Sequence, residues 1–443
     1  MEDQETWAVP VRDASSVPVE ERVVYGNGQY AVVVDAPTYE EAVEIVEEQF
    51  DATVTHPQAS QFREEPYTPL TESVGTDVPA IVYAEIPFTD GRQGRFGGEY
   101  AKTANGVTQH SKVADVRVVI DPAASETMDT AAEALGRDDR EDLKEIPLVA
   151  SFGEAVDVAP EAELFVVGGA TEGGYIPDAW EAPIEKSLQR GMTVMAGLHT
   201  YLGNDPDYAA LAEENGGDII DVRKPPRPDL LGTADGEATD EAHIVLVGGT
   251  DMAVGKRTTA AELVQAAEEA GYDADMVATG QTGIMLGYRG VALDAVRWDS
   301  VTGVLEELTH RAAEENDFVF VEGQDAWLHR SYSGHPTLMS GCRPDVNVIA
   351  DEPSRSEHVA VGGEIPEITR HIEYVDMQRG DAPVVAISTW SDNPGEEQAY
   401  QNVDVPAFNV YHEDGHRELF RAIEEHVTEG EDAGDADDTP DTF

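Results

Sequence analysis

Cysteine is nearly missing from this 443-residue chain, in which Cys342 stands alone. A single cysteine forms no internal disulfide and no cysteine-rich zinc cluster. Lysine is almost as scarce, at positions 102, 112, 144, 186, 224 and 256. Lys and Arg together number 28 against 89 Asp and Glu, a formal net charge of −61. Nucleic acid and anionic membranes both call for a basic face, so no nucleic acid and no membrane is expected as a partner. No run of about 18 apolar residues occurs, which removes a membrane-spanning segment. The start, Met1-Glu2-Asp3-Gln4-Glu5, lacks the basic and apolar regions of a signal peptide. A cytoplasmic protein is expected.

Apolar residues make up 41% of the chain, enough for a sizeable core. At about 150 residues per domain, the length fits two or three domains. The acid is spread among apolar runs instead of forming one block. The chain therefore reads as folded and acid-coated, not as a disordered acidic polymer. Such a surface suits a salt-rich, halophilic cytoplasm, where ions screen its self-repulsion.

Apolar runs alternate with helical periods along most of the chain. Strands are expected at 30–34, 80–86, 116–120, 163–167, 192–196 and 218–222, and a helical face over 38–50. A second set of strands is expected at 243–249, 275–280, 318–323, 346–352 and 383–389. Helices are expected over 256–270, stopped by Gly271, and over 414–427. Strand–helix alternation predicts an α/β fold with two mainly parallel, doubly wound sheets. The expected organisation is an N-terminal extension or small α+β module at 1–75 and a first α/β domain at 76–225. A Pro-, Gly- and acid-rich linker at 226–240, a second α/β domain at 241–428 and an acidic disordered tail at 429–443 follow. Residues 1–75 fit equally well as the first unit of the same sheet.

The sharpest chemical signal is the stretch from Gly248 to Thr259, GGTDMAVGKRTT. It follows an expected strand and opens an expected helix, the context of a phosphate-binding loop. Glycines let backbone N–H groups curl around an anion, and the helix start adds its positive end. Gly249, Thr250, Asp251, Gly255, Lys256, Arg257, Thr258 and Thr259 are the candidate phosphate-binding residues. The spacing departs from G-x-x-x-x-G-K-[ST], because five residues separate Gly249 from Gly255. Arg257 also stands where a magnesium-binding hydroxyl normally stands, and Thr258 follows one place late. The plain alternative is an ordinary Gly-rich turn.

Glu322 ends an apolar strand, the place for a metal-holding or water-orienting acid. Gln281 and Gln324 lie just past strand ends, which line the ligand crevice of such folds. His329 and Arg330 sit in the loop HRSYSGH, where Arg330 suits an anionic ligand. In the first domain Lys102, His199, Arg223 and Lys224 are the candidates. Pairing of Arg223 and Lys224 with nearby acid is the plain reading of those two. Gly168–Gly174 is only a loose match to a dinucleotide fingerprint.

Taken in order, GTDMAVGKRTTAAEL, ATGQTGIML, FVFVEGQ with LHRSYSG, and RPDVNVIADEPSR resemble the C-terminal P-loop domain of a family catalogued as a domain of unknown function. YAKTANGV, VVIDP, VVGGATEGGYIP, MAGLHTYLGNDP and DIIDVRKPP resemble its N-terminal Rossmann-like domain. The resemblance runs from about Tyr100 to Ser388. It implies a Rossmann-like domain followed by a P-loop NTPase-like sheet. Because the family includes D-glutamate N-acetyltransferases, it also implies acetyl-CoA as cofactor and a small acidic amino acid as substrate. The P-loop half is similar to dethiobiotin synthetase as well, which shares the GTD-x-x-VGK loop.

Three functions follow. In an N-acetyltransferase the loop would hold CoA phosphates, with His199, Glu322 or His329 as base. Arg223, Lys224, Arg330 or Lys102 would hold substrate carboxylates. In an ATP-dependent ligase or kinase, Thr258 and Glu322 would hold Mg²⁺. A nucleotide-binding switch is the third. Arg257 in the hydroxyl's place favours the first, whose thioester donor needs no Mg²⁺. Homo-oligomer formation is left open.

Overall fold

The computed structural model describes residues 5–11, 22–24, 30–36, 42, 45, 46, 49, 62, 63, 66–87, 93–169, 171, 175–227, 230–234, 236, 239, 241–329, 334–359, 362–378, 382–389, 400–412 and 414–434. The chain divides into two compact units. One comprises Met1–Arg63, Val78–Ala104 and Val116–Lys224, and the other Glu64–Asp77, Asn105–Asp115 and Pro225–Phe443.

The first unit opens with β1 (Glu5–Val11), β2 (Arg22–Val24) and β3 (Tyr30–Ala36). These form their own antiparallel sheet in the order β1-β3-β2, separate from the six-stranded sheet that follows. Of the helix expected over 38–50, residues 42, 45, 46 and 49 are described, and all four are helical. The remainder of that stretch lies outside the described residues. After β4 (Val78–Tyr83) come the short hairpin β5 (Ile86–Pro87) and β6 (Gln93–Gly94), then β7 (Ala114–Ile120), β8 (Leu148–Val149), β9 (Leu164–Val167), β10 (Thr193–Ala196) and β11 (Asp218–Asp221). The six-stranded sheet runs β8-β7-β4-β9-β10-β11. Numbered along the chain, that is 3-2-1-4-5-6, the Rossmann order. All four residues of β9 are buried, as expected for a parallel strand covered on both faces.

The turn after β4 reads Ala84-Glu85-Ile86-Pro87 and carries no glycine pair, so the first strand of this Rossmann order lacks the phosphate fingerprint. The glycine at the end of β9 has a packing role instead. A Cβ on Gly168 would lie 2.6 Å from the Ala104 side chain, and Ala104 N–H donates to the Gly168 carbonyl at 2.9 Å. Ala170 and residues 172–174 of that loop lie outside the described residues.

The second unit is built on β12 (His243–Gly249), β13 (Ala274–Val277), β14 (Phe318–Glu322), β15 (Val346–Ala350), β16 (Val384–Thr389) and β17 (Ala407–Asn409). Their order is β13-β14-β12-β15-β16-β17, and every neighbouring pair is parallel. The strand order reverses at β12, so the crevice beyond its carboxyl end is where a ligand of this fold sits. Val319, Val321, Leu246, Ile349, Leu305, Leu308 and Leu338 form the core around that strand. The expected helix is found at Lys256–Ala270, ended by Gly271 in the left-handed region at φ 96.

Two expectations meet a different arrangement. Described parts of the 226–240 linker are packed, not loose. Gly236 N–H donates to Glu306 Oε2 at 3.0 Å. A Cβ on Gly303 would come within 2.4 Å of the Gly232 carbonyl oxygen, so the glycine lets that segment lie against helix Val301–Ala313. The closing helix runs Gly415–Gly434, past the point where the tail was expected to begin; residues 435–443 lie outside the described residues. No helix among the described residues is long and apolar enough to cross a membrane.

Two imidazoles are fully buried in this unit, His335 and His371. Burial pushes His371 down to about 4 and His335 well below the ordinary imidazole value. Both are neutral when folded and bind a proton more readily when unfolded. Their contribution is therefore complete above the unfolded value of 6.5 and fades as pH falls toward the folded one. His371→Leu is expected to flatten the fall in stability between pH 6.5 and 4 by up to about 1.4 kcal/mol per pH unit. Denaturant titrations across that range at constant molar salt measure it; parallel curves for variant and parent would contradict it.

Candidate active site

The loop from Gly248 to Lys256 leaves β12 and enters the Lys256–Ala270 helix. Two residues in it take positive φ, Ala253 at 53° and Gly255 at 96°. This curls the chain back on itself, and Lys256 Nζ closes the curl. The ammonium donates to the carbonyl oxygens of Asp251 at 2.7 Å and of Asp325 at 2.5 Å. Gly248 has no room for a side chain, because a Cβ would lie 2.3 Å from the Trp327 indole. The backbone N–H of Trp327 in turn donates to the Gly249 carbonyl at 3.1 Å.

Side chains at neighbouring strand ends anchor the loop. Thr250 donates to Asp351 Oδ1 at 2.5 Å, and Tyr400 donates to Asp351 Oδ2 at 2.9 Å. The hydroxyls of Thr259 and Ser388 meet at 2.6 Å. The helix that follows has Gly255 at its cap with no side-chain cap bond, and no acid in its first turn. In a chain with 89 Asp and Glu, a first turn without acid and without a side-chain cap is the form of helix start that binds an anion. Thr258 is buried in the same turn.

Arg257 is half-buried, and its guanidinium lies where a Cβ on Gly106 would be 2.7 Å from its central carbon. Burial lowers its pKa while the Glu322 charge opposes the shift. Glu322 is buried, and its Oε2 accepts from the N–H groups of Thr279 at 3.2 Å and Gly280 at 3.3 Å. Gln324 Nε2 donates to Thr279 Oγ1 at 2.9 Å. Gln281 is buried in the first turn of the short helix Gln281–Met285. Thus Glu322, Gln281 and Gln324 gather around one strand-end turn, with the Glu322 charge directed at backbone donors and at Arg257.

A second group lies on the loop itself. Asp251 is fully buried, and its Oδ2 accepts from Val359 N–H at 2.9 Å and Arg355 at 3.2 Å. Its Oδ1 lies 3.2 Å from His358 Nδ1. Burial pushes the Asp251 carboxyl upward, but these donors outweigh it and hold it below the ordinary range. The His329 ring stands edge-on to His358 with centroids 4.5 Å apart. Burial, then the neighbouring His358, lowers the His329 pKa, so this imidazole is neutral at neutral pH.

Among the expected site residues, Gly249 to Thr259, Gln281, Glu322, Gln324 and His329 all lie in the second unit at the carboxyl ends of β12, β13 and β14. Arg330 lies outside the described residues. Lys102, His199, Arg223 and Lys224 belong to the first unit, where Lys102 and His199 are exposed. Arg223 and Lys224 are buried and hold strand ends together. Arg223 Nε donates to the Gly197 carbonyl at 2.7 Å, and Lys224 Nζ lies 3.2 Å from Asp221 Oδ2. Asp221 also accepts from the N–H groups of Leu202 and Gly203. Four residues that build the loop's surroundings were missed from sequence: Asp351, Arg355, His358 and Ser388. Asp351, Arg355 and His358 follow β15, the strand beside β12, and Ser388 lies near the end of β16, one strand further out; a place at a strand end was the available signal.

The DUF1611 family's C-terminal P-loop domain, a domain of unknown function, matches residues 232–419. Its N-terminal Rossmann-like domain matches residues 129–225. A protein from Tritonibacter scottomollicae named D-glutamate N-acetyltransferase is 34% identical over 54% of this chain and 73% of its own length. One of the same name from a Pseudoalteromonas species is 31% identical over 54% of this chain and 72% of its own. The crystal structure of a DUF1611 family protein from Anabaena variabilis covers 79% of this chain and all of its own, at 30% identity and a TM-score of 0.69.

Lys256→Ala is expected to weaken binding of inorganic pyrophosphate ten-fold or more, about 1.5–3 kcal/mol for a lost charge-assisted contact. Calorimetry in molar KCl checks this; equal affinity for variant and parent would show that the loop does not hold phosphate.

Proposed function

This chain belongs to the DUF1611 family, and on that footing we propose that it transfers an acetyl group from acetyl-CoA to the amino group of a small acidic amino acid, D-glutamate first among them. One observation about the loop carries the choice of donor. Lys256 and Arg257 stand side by side at the helix start, and no hydroxyl follows the lysine directly. Phosphoryl transfer relies on a hydroxyl there to help hold Mg²⁺. Two cations and an uncapped helix N-terminus fit the phosphates of CoA without a metal. The acidic amino acid comes from the name borne by the two relatives.

Acetyl-CoA supplies an activated thioester, so the chain's own residues must bind phosphate and take a proton from the substrate ammonium. Lys256, Arg257 and the first-turn N–H groups bind phosphate in this reading. His329 is the base. Its neutral ring has a lone pair to accept the proton, and it lies beside the loop. Glu322 is less suited, because its carboxylate is turned to backbone donors and to the Arg257 charge. Arg223 and Lys224 are left with their structural bonds.

With acetyl-CoA and D-glutamate the protein is expected to release thiol, and His329→Gln to lower kcat by about 10²-fold or more. A thiol-release assay in molar KCl, run beside an ADP assay with ATP and Mg²⁺, measures both. Metal-dependent ADP formation with no thiol release would overturn the acyltransferase reading in favour of a ligase.

A further inference from the structure

Asp251, His329 and His358 come from three separate segments: the loop after β12, the stretch after β14 and the stretch after β15. Each offers one ligand atom, and those atoms all lie within 4.8 Å of one another. All three residues are buried. We infer that this cluster is a binding site for a divalent transition-metal ion of the zinc, cobalt or nickel type.

The donor set carries the choice of ion. Two imidazoles and one carboxylate suit zinc and its neighbours, whereas magnesium and calcium take oxygen ligands. Spacing agrees. Ligand atoms about 2.0–2.1 Å from a tetrahedral ion stand about 3.3 Å apart. His358 Nδ1 and Asp251 Oδ1 are already 3.2 Å apart, so an ion would replace the hydrogen bond between them with little movement. The carboxylate is also held in place from behind. Its Oδ2 accepts from Val359 N–H and Arg355, the kind of outer contact that orients a metal ligand. Three protein ligands leave a fourth position open for water or another ligand.

Nearby charge sharpens the selectivity. Lys256 donates to the Asp251 carbonyl at 2.7 Å, and Arg355 touches the Asp251 carboxylate. Ions held by charge alone, such as sodium, potassium or magnesium, are repelled by these two cations. An ion that bonds imidazole nitrogen overcomes that repulsion. The donor set therefore favours an ion that bonds imidazole nitrogen over sodium, potassium or magnesium. A bound ion would also engage the lone pair that His329 needs as a base, so it would inhibit acetyl transfer. Inhibition rests on the acetyltransferase reading; metal binding does not.

The test titrates chelator-stripped full-length protein with Co²⁺ in molar KCl and follows the visible absorption bands. One equivalent per chain with bands of nitrogen-ligated cobalt, displaced by Zn²⁺, is the expected result. Each of His329→Gln and His358→Gln should weaken binding at least about ten-fold, with the folded state checked by circular dichroism. Bands of hydrated cobalt alone in the parent protein, or a stoichiometry unchanged in the folded double variant, would overturn the site. Zinc is then added to the thiol-release assay. Cobalt binding with turnover untouched by zinc keeps the metal site and removes His329 as the base.

Discussion

The candidate site depends on one buried cation. Lys256 holds its ammonium between the carbonyl oxygens of Asp251 and Asp325, at 2.7 and 2.5 Å. The first lies in the loop after β12, and the second in the stretch after β14. A single side chain thereby fixes the shape of the loop and its position relative to the next strand. The desolvation of that charge is offset by the carbonyl dipoles that surround it. The bridge lies at the carboxyl end of β12, where the strand order reverses.

The surroundings of that bridge are packed on both sides of the loop. Gly248 lets the Trp327 indole lie flat against the backbone, and behind Trp327 stands the buried His335 ring at 4.3 Å. Thr250, Asp351 and Tyr400 tie the far side of the loop to the end of β15. A loop held in one shape by these bonds needs little further ordering to take a ligand. The acid that covers the rest of the chain is kept out of the first helical turn.

Much of this was legible in the sequence for a physical reason. Parallel strands buried on both faces read as unbroken apolar runs, so HIVLVGG and FVFVE were marked by composition alone. Lys256–Ala270 was marked by Lys256 at the loop and Gly271 at the stop. The loop residues, Glu322 and His329 are local to those elements. What stayed hidden is non-local. Asp251 meets Val359 across a separation of 108 residues, and Thr250 meets Asp351 across 101. Those partners carry no spacing signal, and only the strand order brings them to the loop. For Arg223 and Lys224 the sequence left two readings open, ligand binding and pairing with nearby acid, and Lys224 is paired with Asp221. Both are buried, and Arg223 lies against the Gly197 carbonyl.

In the proposed function the Lys256–Arg257 loop takes the phosphates of CoA instead of a magnesium nucleotide. Direct calorimetric competition between acetyl-CoA and ATP with Mg²⁺, on the full chain in molar KCl, tests it most simply. Saturable binding of acetyl-CoA at one per chain, undisturbed by ATP and Mg²⁺ at equal concentration, is the expected result. Tight binding of ATP that needs Mg²⁺ and displaces acetyl-CoA would contradict it.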